Sequence, residues 1–201
     1  MTVKLVGSTS GSVSLQAPAS TSGGAHRVLT LPDANATLAT TSDSFGKILQ
    51  VKQTVKTSKQ TIQSQSLTDI SGLSVSITPS VSTNKILVRY SLVLFTNAVY
   101  YSLRLLRDSS DDIFIGDINS SATSQQRASF GSYMASYAIA DCITQEFLDS
   151  PNDTNAHTYK IQVHCPYSSS YIIGVNSSPQ QDNYNYMNNC VSTITAMEVA
   201  A

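Results

Sequence analysis

Between Phe45 and Thr96 the apolar residues recur mostly at every second position, and this alternation restricts the fold more than any other feature of the chain. Ile48 and Val51, then Leu73, Val75 and Ile77, then Ile86, Val88 and Tyr90 fall into short runs separated by Ser, Thr, Asn, Gly and Pro. Side chains on a strand alternate between its two faces, so the spacing predicts half-buried strands joined by turns. No stripe at i, i+3, i+4, i+7 competes over this window. The region must therefore close into a sheet that later segments complete.

Those later segments fit one architecture. Strand-like runs are expected at 99–106, 112–118, 128–139, 142–148, 158–164, 171–176 and 190–199, with turn signals SPNDTN, CPYSSS and NSSPQQDN between the later ones. Counted from Lys47, this makes eight to ten strands. The fold class is all-β, with a jelly-roll-like β-sandwich head over residues 45–201. An immunoglobulin-like sandwich is the alternative. A chain of 201 residues is long enough for one such domain and an extension.

Residues 1–44 are that extension, an extended N-terminal arm. Short β-type runs at 3–6, 13–16, 28–31 and 37–39 alternate with small, flexible residues. Such a segment cannot bury a core alone. It is either a disordered tail or is ordered by pairing with sister subunits or a larger partner.

Charge and cysteine content exclude several classes. Only 12% of residues are charged and the net charge is -1, which argues against a nucleic-acid-binding protein. The charge is uneven: residues 1–60 carry six basic and two acidic residues, and residues 61–201 carry six and eleven. A basic arm and an acidic head would suit different surfaces, although a difference this small is equally compatible with no role. Cys142, Cys165 and Cys190 form an odd set at long, irregular spacings, so no disulfide framework is expected. They read as buried, reduced thiols in or beside strands, with a Cys165–Cys190 bridge as the alternative. The N-terminus lacks the apolar run of a secretion signal, and no stretch approaches the roughly 20 residues of a membrane span. The expectation is a protein folded in a cytoplasm, without membrane insertion, that leaves by lysis or within a particle.

Four groups of residues carry enough chemistry to be weighed. His164 and Cys165, with His157 and Asp153, have metal-ligand side chains, but neighbours on a strand face opposite ways, so no metal site is expected. A Ser-rich chain always permits a Ser/His/Asp set; without a G-x-S-x-G elbow, no enzyme is expected and no cofactor is implied. Asp108, Asp111, Asp112 and Asp117 would suit Ca2+ between subunits, but a solvated acidic turn is the preferred reading. The segment 166–189 concentrates Tyr167, Tyr171, Tyr184 and Tyr186 with Asn183 and Asn185. Aromatic faces stack on sugar rings while amides pair with sugar hydroxyls, so these residues are candidates for binding host cell-surface glycan. The other reading is a loop whose tyrosines pack against the sheet or a subunit axis.

The arm also carries a resemblance. Val13 to Ala19 and Leu29 to Ala39 form a V-x-L-x-A-P-A element followed by L-T-L-P-D-A-x-A-T-L-A. GKILQV, SVSITPSVSTNKILV, FLDSPNDTNAHTYKIQV and STITAMEVA follow in the head. Together they resemble structural proteins of tailed bacteriophages, especially marine and cyanobacterial phages, with the recurring C-terminal head of tail-fibre and appendage proteins. Residues 98–140 match only loosely. The head is also similar to the trimeric heads of the tumour-necrosis-factor and C1q type. The resemblance implies a virion structural protein, a homotrimer, whose partners are other virion proteins. It implies attachment through the arm, with Val13, Leu15, Leu29, Leu31, Pro32 and Leu38 as anchoring candidates. A tail fibre or receptor-binding appendage is the first reading and a capsid decoration, or cement, protein the second.

Overall fold

The computed structural model describes residues 2–6, 12–16, 47–96, 99–109, 111–117, 126–135, 139–179, 185 and 187–201. The chain falls into two compact units, residues 1–42 and 43–201. In the first, β1 (Thr2–Val6) and β2 (Ser12–Gln16) pair antiparallel, Thr2 opposite Gln16 and Val6 opposite Ser12. Two of the β-type runs expected in this part of the chain thus pair with each other; those at 28–31 and 37–39 lie outside the described residues.

The second unit is all-β among its described residues. Its strands are β3 (Ile48–Lys56), β4 (Gln60–Ile62), β5 (Thr68–Ile77), β6 (Lys85–Thr96), β7 (Val99–Arg107), β8 (Asp111–Phe114), β9 (Phe130–Met134), β10 (Ala140–Asp149), β11 (His157–His164), β12 (Ile173–Val175) and β13 (Ser192–Val199). They form eight rows in two sheets. In the first sheet β10 pairs one edge of β6, β12 and β13 share the other edge, and β4 and β3 lie beyond them. In the second the order is β5, β11, β7, and β8 with β9 share the far edge of β7. Successive rows mostly alternate between sheets, which is the strand order of a double-sheet jelly roll. The immunoglobulin-like alternative keeps hairpin-connected strands together and does not fit.

The period-two pattern sets the core. Leu73, Val75 and Ile77 on β5, Ile86, Val88, Tyr90, Leu92 and Leu94 on β6, and Tyr159, Ile161 and Val163 on β11 are all buried, joined by Tyr101, Leu103 and Leu105 of β7 and Ile194 and Ala196 of β13. Each large side chain removed from water contributes about 1.5–3 kcal/mol.

Several strands end earlier than the sequence suggests. The run expected at 112–118 stops at Phe114, because Gly116 N–H bonds to the Ala128 carbonyl and the Ser129 hydroxyl donates to the Phe114 carbonyl. The run expected at 171–176 is strand only over Ile173–Val175, because Asn176 takes the left-handed conformation, φ 65°.

Register gives the sandwich two distinct poles. At one, the base, lie the start of β3, the 78–84 turn, the β7–β8 turn, the 150–156 loop and the end of β13, where Ala200 N–H bonds to the Lys47 carbonyl at 3.0 Å. At the other, the tip, lie the β4–β5 connection, the junction of β6 with β7, the end of β9, the start of β10 and the 165–172 segment.

Candidate functional site

The tip gathers exposed aromatic rings. After β11 the chain is held by a bond from Cys165 N–H to the Ser64 carbonyl, and it then turns on itself through Ser170 N–H to Ser168 Oγ at 3.1 Å. This brings Tyr167 and Tyr171 to a ring separation of 5.9 Å, tilted by 51°. Tyr167 is 71% exposed; Tyr171 is half-buried and packs on the core. Of the six residues proposed for glycan, these two are therefore neighbours, and Asn185 is exposed in a turn. Asn183, Tyr184 and Tyr186 lie outside the described residues.

A second aromatic pair stands on the outer face of the second sheet at the same pole. Tyr100 and Tyr133 are direct register partners across β7 and β9, with ring centroids 4.9 Å apart and 49° between planes. They are 61% and 50% exposed, whereas Tyr101, one residue along, is buried and its hydroxyl bonds to Asp141 at 2.5 Å. Neither was singled out from the sequence. Alternation along VYYSL turns one tyrosine of the doublet outward, but its partner thirty-three residues away is visible only in the register.

The loop that leads from β12 to β13 is fastened at its foot by Asn176. This residue is 1% exposed; its amide donates to the Lys56 carbonyl at 2.7 Å and its Oδ1 accepts from Ser192 Oγ at 2.5 Å. Its carbonyl accepts from Cys190 N–H at 2.7 Å. The chain doubles back over Gly174, where a Cβ would lie 2.2 Å from the Ser177 carbonyl oxygen.

The base carries charge. His157, buried, places Nδ1 2.6 Å from Asp108 Oδ2 and Nε2 2.9 Å from Asp153 Oδ1. Two carboxylates on two ring nitrogens suit the doubly protonated ring. Burial alone would lower its pKa, but the two hydrogen bonds outweigh that and hold it above the ordinary histidine value. Beside it Arg107 reaches Asp149 at 2.9 Å, and Tyr159 donates to the same carboxylate at 2.8 Å. Three of the four aspartates weighed as a Ca2+ cluster face cations: Asp108 His157, Asp111 Arg107 at 3.4 Å, and Asp112 Arg104 at 3.1 Å. His164, weighed as a metal ligand, is buried with Nδ1 3.1 Å from Ser102 Oγ, and Cys165 is part of the core. Among the described residues no group of three or more His, Cys, Asp or Glu is placed to hold a metal.

The cysteines are all unpaired, but they are not all buried. Cys165 is buried and Cys190 half-buried, while Cys142 is exposed because it stands opposite Val93 on the outer face of the first sheet. That face also holds a depression of about 320 Å³ lined by Gln53, Arg89, Ser91, Thr193, Thr195 and Met197. An apolar row crosses it: Val51, Met197, Leu87 and Leu148 are successive register partners.

The anchoring candidates Val13 and Leu15 stand opposite Leu5 and Val3 in the β1–β2 ladder. Leu29, Leu31, Pro32 and Leu38 lie outside the described residues.

No protein-family model matches the chain, and no curated protein does. Among solved structures, one of infectious bursal disease virus, Gt strain, is similar at 11% identity and a TM-score of 0.38, over 98% of this chain and 46% of that chain. The chain spans about half the length of that neighbour, and a likeness at this level carries no function across.

Proposed function

We propose that the chain is a non-enzymatic virion structural protein of a tailed phage, a tail fibre or receptor-binding appendage. Residues 1–44 attach it to other virion proteins, and the sandwich presents its tip to host cell-surface glycan. The observation that carries this reading is the polarity of the sandwich. Its chain begins at the base, where Ala200 is bonded to Lys47, and its exposed tyrosines stand at the opposite pole. The motifs of residues 13–39 support the phage assignment.

We further propose that the heads associate as a homotrimer through the outer face of the first sheet. Val51 and Leu148 on its apolar row are 56% and 45% exposed. Arg89 and Glu146, register partners on that face, form no ion pair with each other. Among the described residues neither charge has an ion-pair partner, and charges of both signs beside an apolar row suit contact with a further copy of the same chain.

A capsid decoration protein is the second reading. It is favoured by β3, which among the described residues pairs only with β13 and leaves its other edge open for strand addition. Quantitative mass spectrometry of purified particles separates the two. A few to a few tens of copies per virion is the expected outcome; hundreds would favour the capsid reading, and absence from particles would overturn both. Light scattering of the pure protein is expected to give three times the 21.5 kDa chain mass.

A further inference from the structure

We propose that Tyr100 and Tyr133 form a stacking platform for an uncharged sugar, separate from the 166–189 segment; this rests on the receptor-binding reading above. The pair stands on strands rather than on a loop, so little order has to be gained on binding. Two phenol rings tilted by 49° offer an apolar face to the C–H side of a pyranose and hydroxyls to its rim.

The chemistry around the pair selects the ligand. The segments VYYSL at 99–103 and FGSYMA at 130–135 contain no charged residue. The first cation along β7, Arg104, is already held by Asp112 at 3.1 Å and by the Arg127 carbonyl at 3.2 Å. A strand of nucleic acid or an acidic glycan requires cations beside the stacking rings, and the nearest on either strand, Arg104, lies four residues from Tyr100 and is already engaged.

Gly131 supports the same conclusion. It lies two residues from Tyr133 on the same face of β9 and opposite Ser102, the residue two beyond Tyr100 on β7. A Cβ there would come no closer than 3.5 Å to the Tyr101 carbonyl oxygen, an ordinary contact, so the fold does not demand glycine. Its missing side chain instead leaves open surface beside the two rings.

The test is saturation-transfer NMR on the full chain with maltohexaose, cellohexaose and chitohexaose as probes. At least one is expected to receive saturation at its ring C–H protons. Affinity is expected to fall tenfold or more in Y100A and in Y133A and to be largely kept in Y100F. Gly131→Val, which fills the shelf without disturbing the ladder, is expected to weaken binding while the melting temperature holds. No transfer to any probe overturns the proposal, as does binding that survives Y100A/Y133A. Loss of binding in Y167A alone would place the sugar on the 165–172 segment instead. A chain that is present on particles yet binds none of the probes would leave the virion reading standing and remove this one.

Discussion

Asn84 Nδ2 donates to Glu198 Oε1 across 2.7 Å, joining residues 114 positions apart in the chain. Ser80 adds its N–H at 2.6 Å and its hydroxyl at 2.7 Å to the same oxygen, and Gln50 Nε2 donates to Oε2 at 2.6 Å. Glu198 is 1% exposed, and these three partners, Asn84, Ser80 and Gln50, are all neutral. Burial would raise its pKa, but the donors from Asn84, Ser80 and Gln50 win and hold it down at about 2.

Glu198→Gln replaces an acceptor by a group that also donates toward these N–H groups, and we expect it to cost on the order of 2–3 kcal/mol. The folded pKa lies below the ordinary 4.5, so this stability is present above pH 4.5 and lost as pH falls toward about 2. Thermal melts of the two proteins should converge over that window. A gap that stays constant down to the lower limit would show that the carboxylate charge is not what matters.

The His157 network titrates in two directions. The His157 pKa is raised above 6.5, so its contribution is complete below 6.5 and fades as pH rises through the folded value. Asp108 and Asp153 are lowered from 3.8, so theirs is complete above 3.8 and fades as pH falls through the folded values. The melting temperature lost in His157→Gln should therefore be largest between 3.8 and 6.5 and smaller on either side. A difference independent of pH would contradict the doubly paired imidazolium.

Gly174 has no room for a methyl group. Its Cβ would meet the Ser177 carbonyl oxygen at 2.2 Å and Pro179 Cδ at 2.6 Å. Gly174→Ala must push the returning chain off β12, and a loss of about 3 kcal/mol or more is expected, read by chemical denaturation. Unchanged stability would mean that this return is not tightly held.

Thiol labelling should order the cysteines. Cys142, exposed on a strand face, is expected to react with a maleimide within the native protein, and Cys190 more slowly. Cys165, wholly buried, should react only at the rate of unfolding. Fast native labelling of Cys165 would contradict its place in the core.

The parts of this molecule that a reader can find in the sequence are those that depend on near neighbours. Leu73, Val75, Ile77, Ile86, Val88 and Tyr90 announce their inward faces because strand geometry repeats every two residues. The pieces that were missed depend on partners far away. Glu198 looks like a charge at the fraying end of a strand until the 80–84 turn folds over it. The exposed side of Tyr100 acquires meaning only when Tyr133 arrives opposite. Cys142 was expected inside because thiols usually are, yet on β10 it is Ile143 that faces inward and Cys142 that alternation turns out. The breaks at 114 and 176 follow from a hydrogen bond and a left-handed asparagine that local pattern does not encode.

The bond between Ala200 and Lys47 makes the sandwich almost a closed ring of chain. A short flexible link across that gap would let the polypeptide be cut elsewhere and still complete every strand pair, as circular permutation requires. A permutant of residues 47–201 reopened within 165–172 would carry its new ends at the tip, so a reporter fused there would sit among the tyrosines.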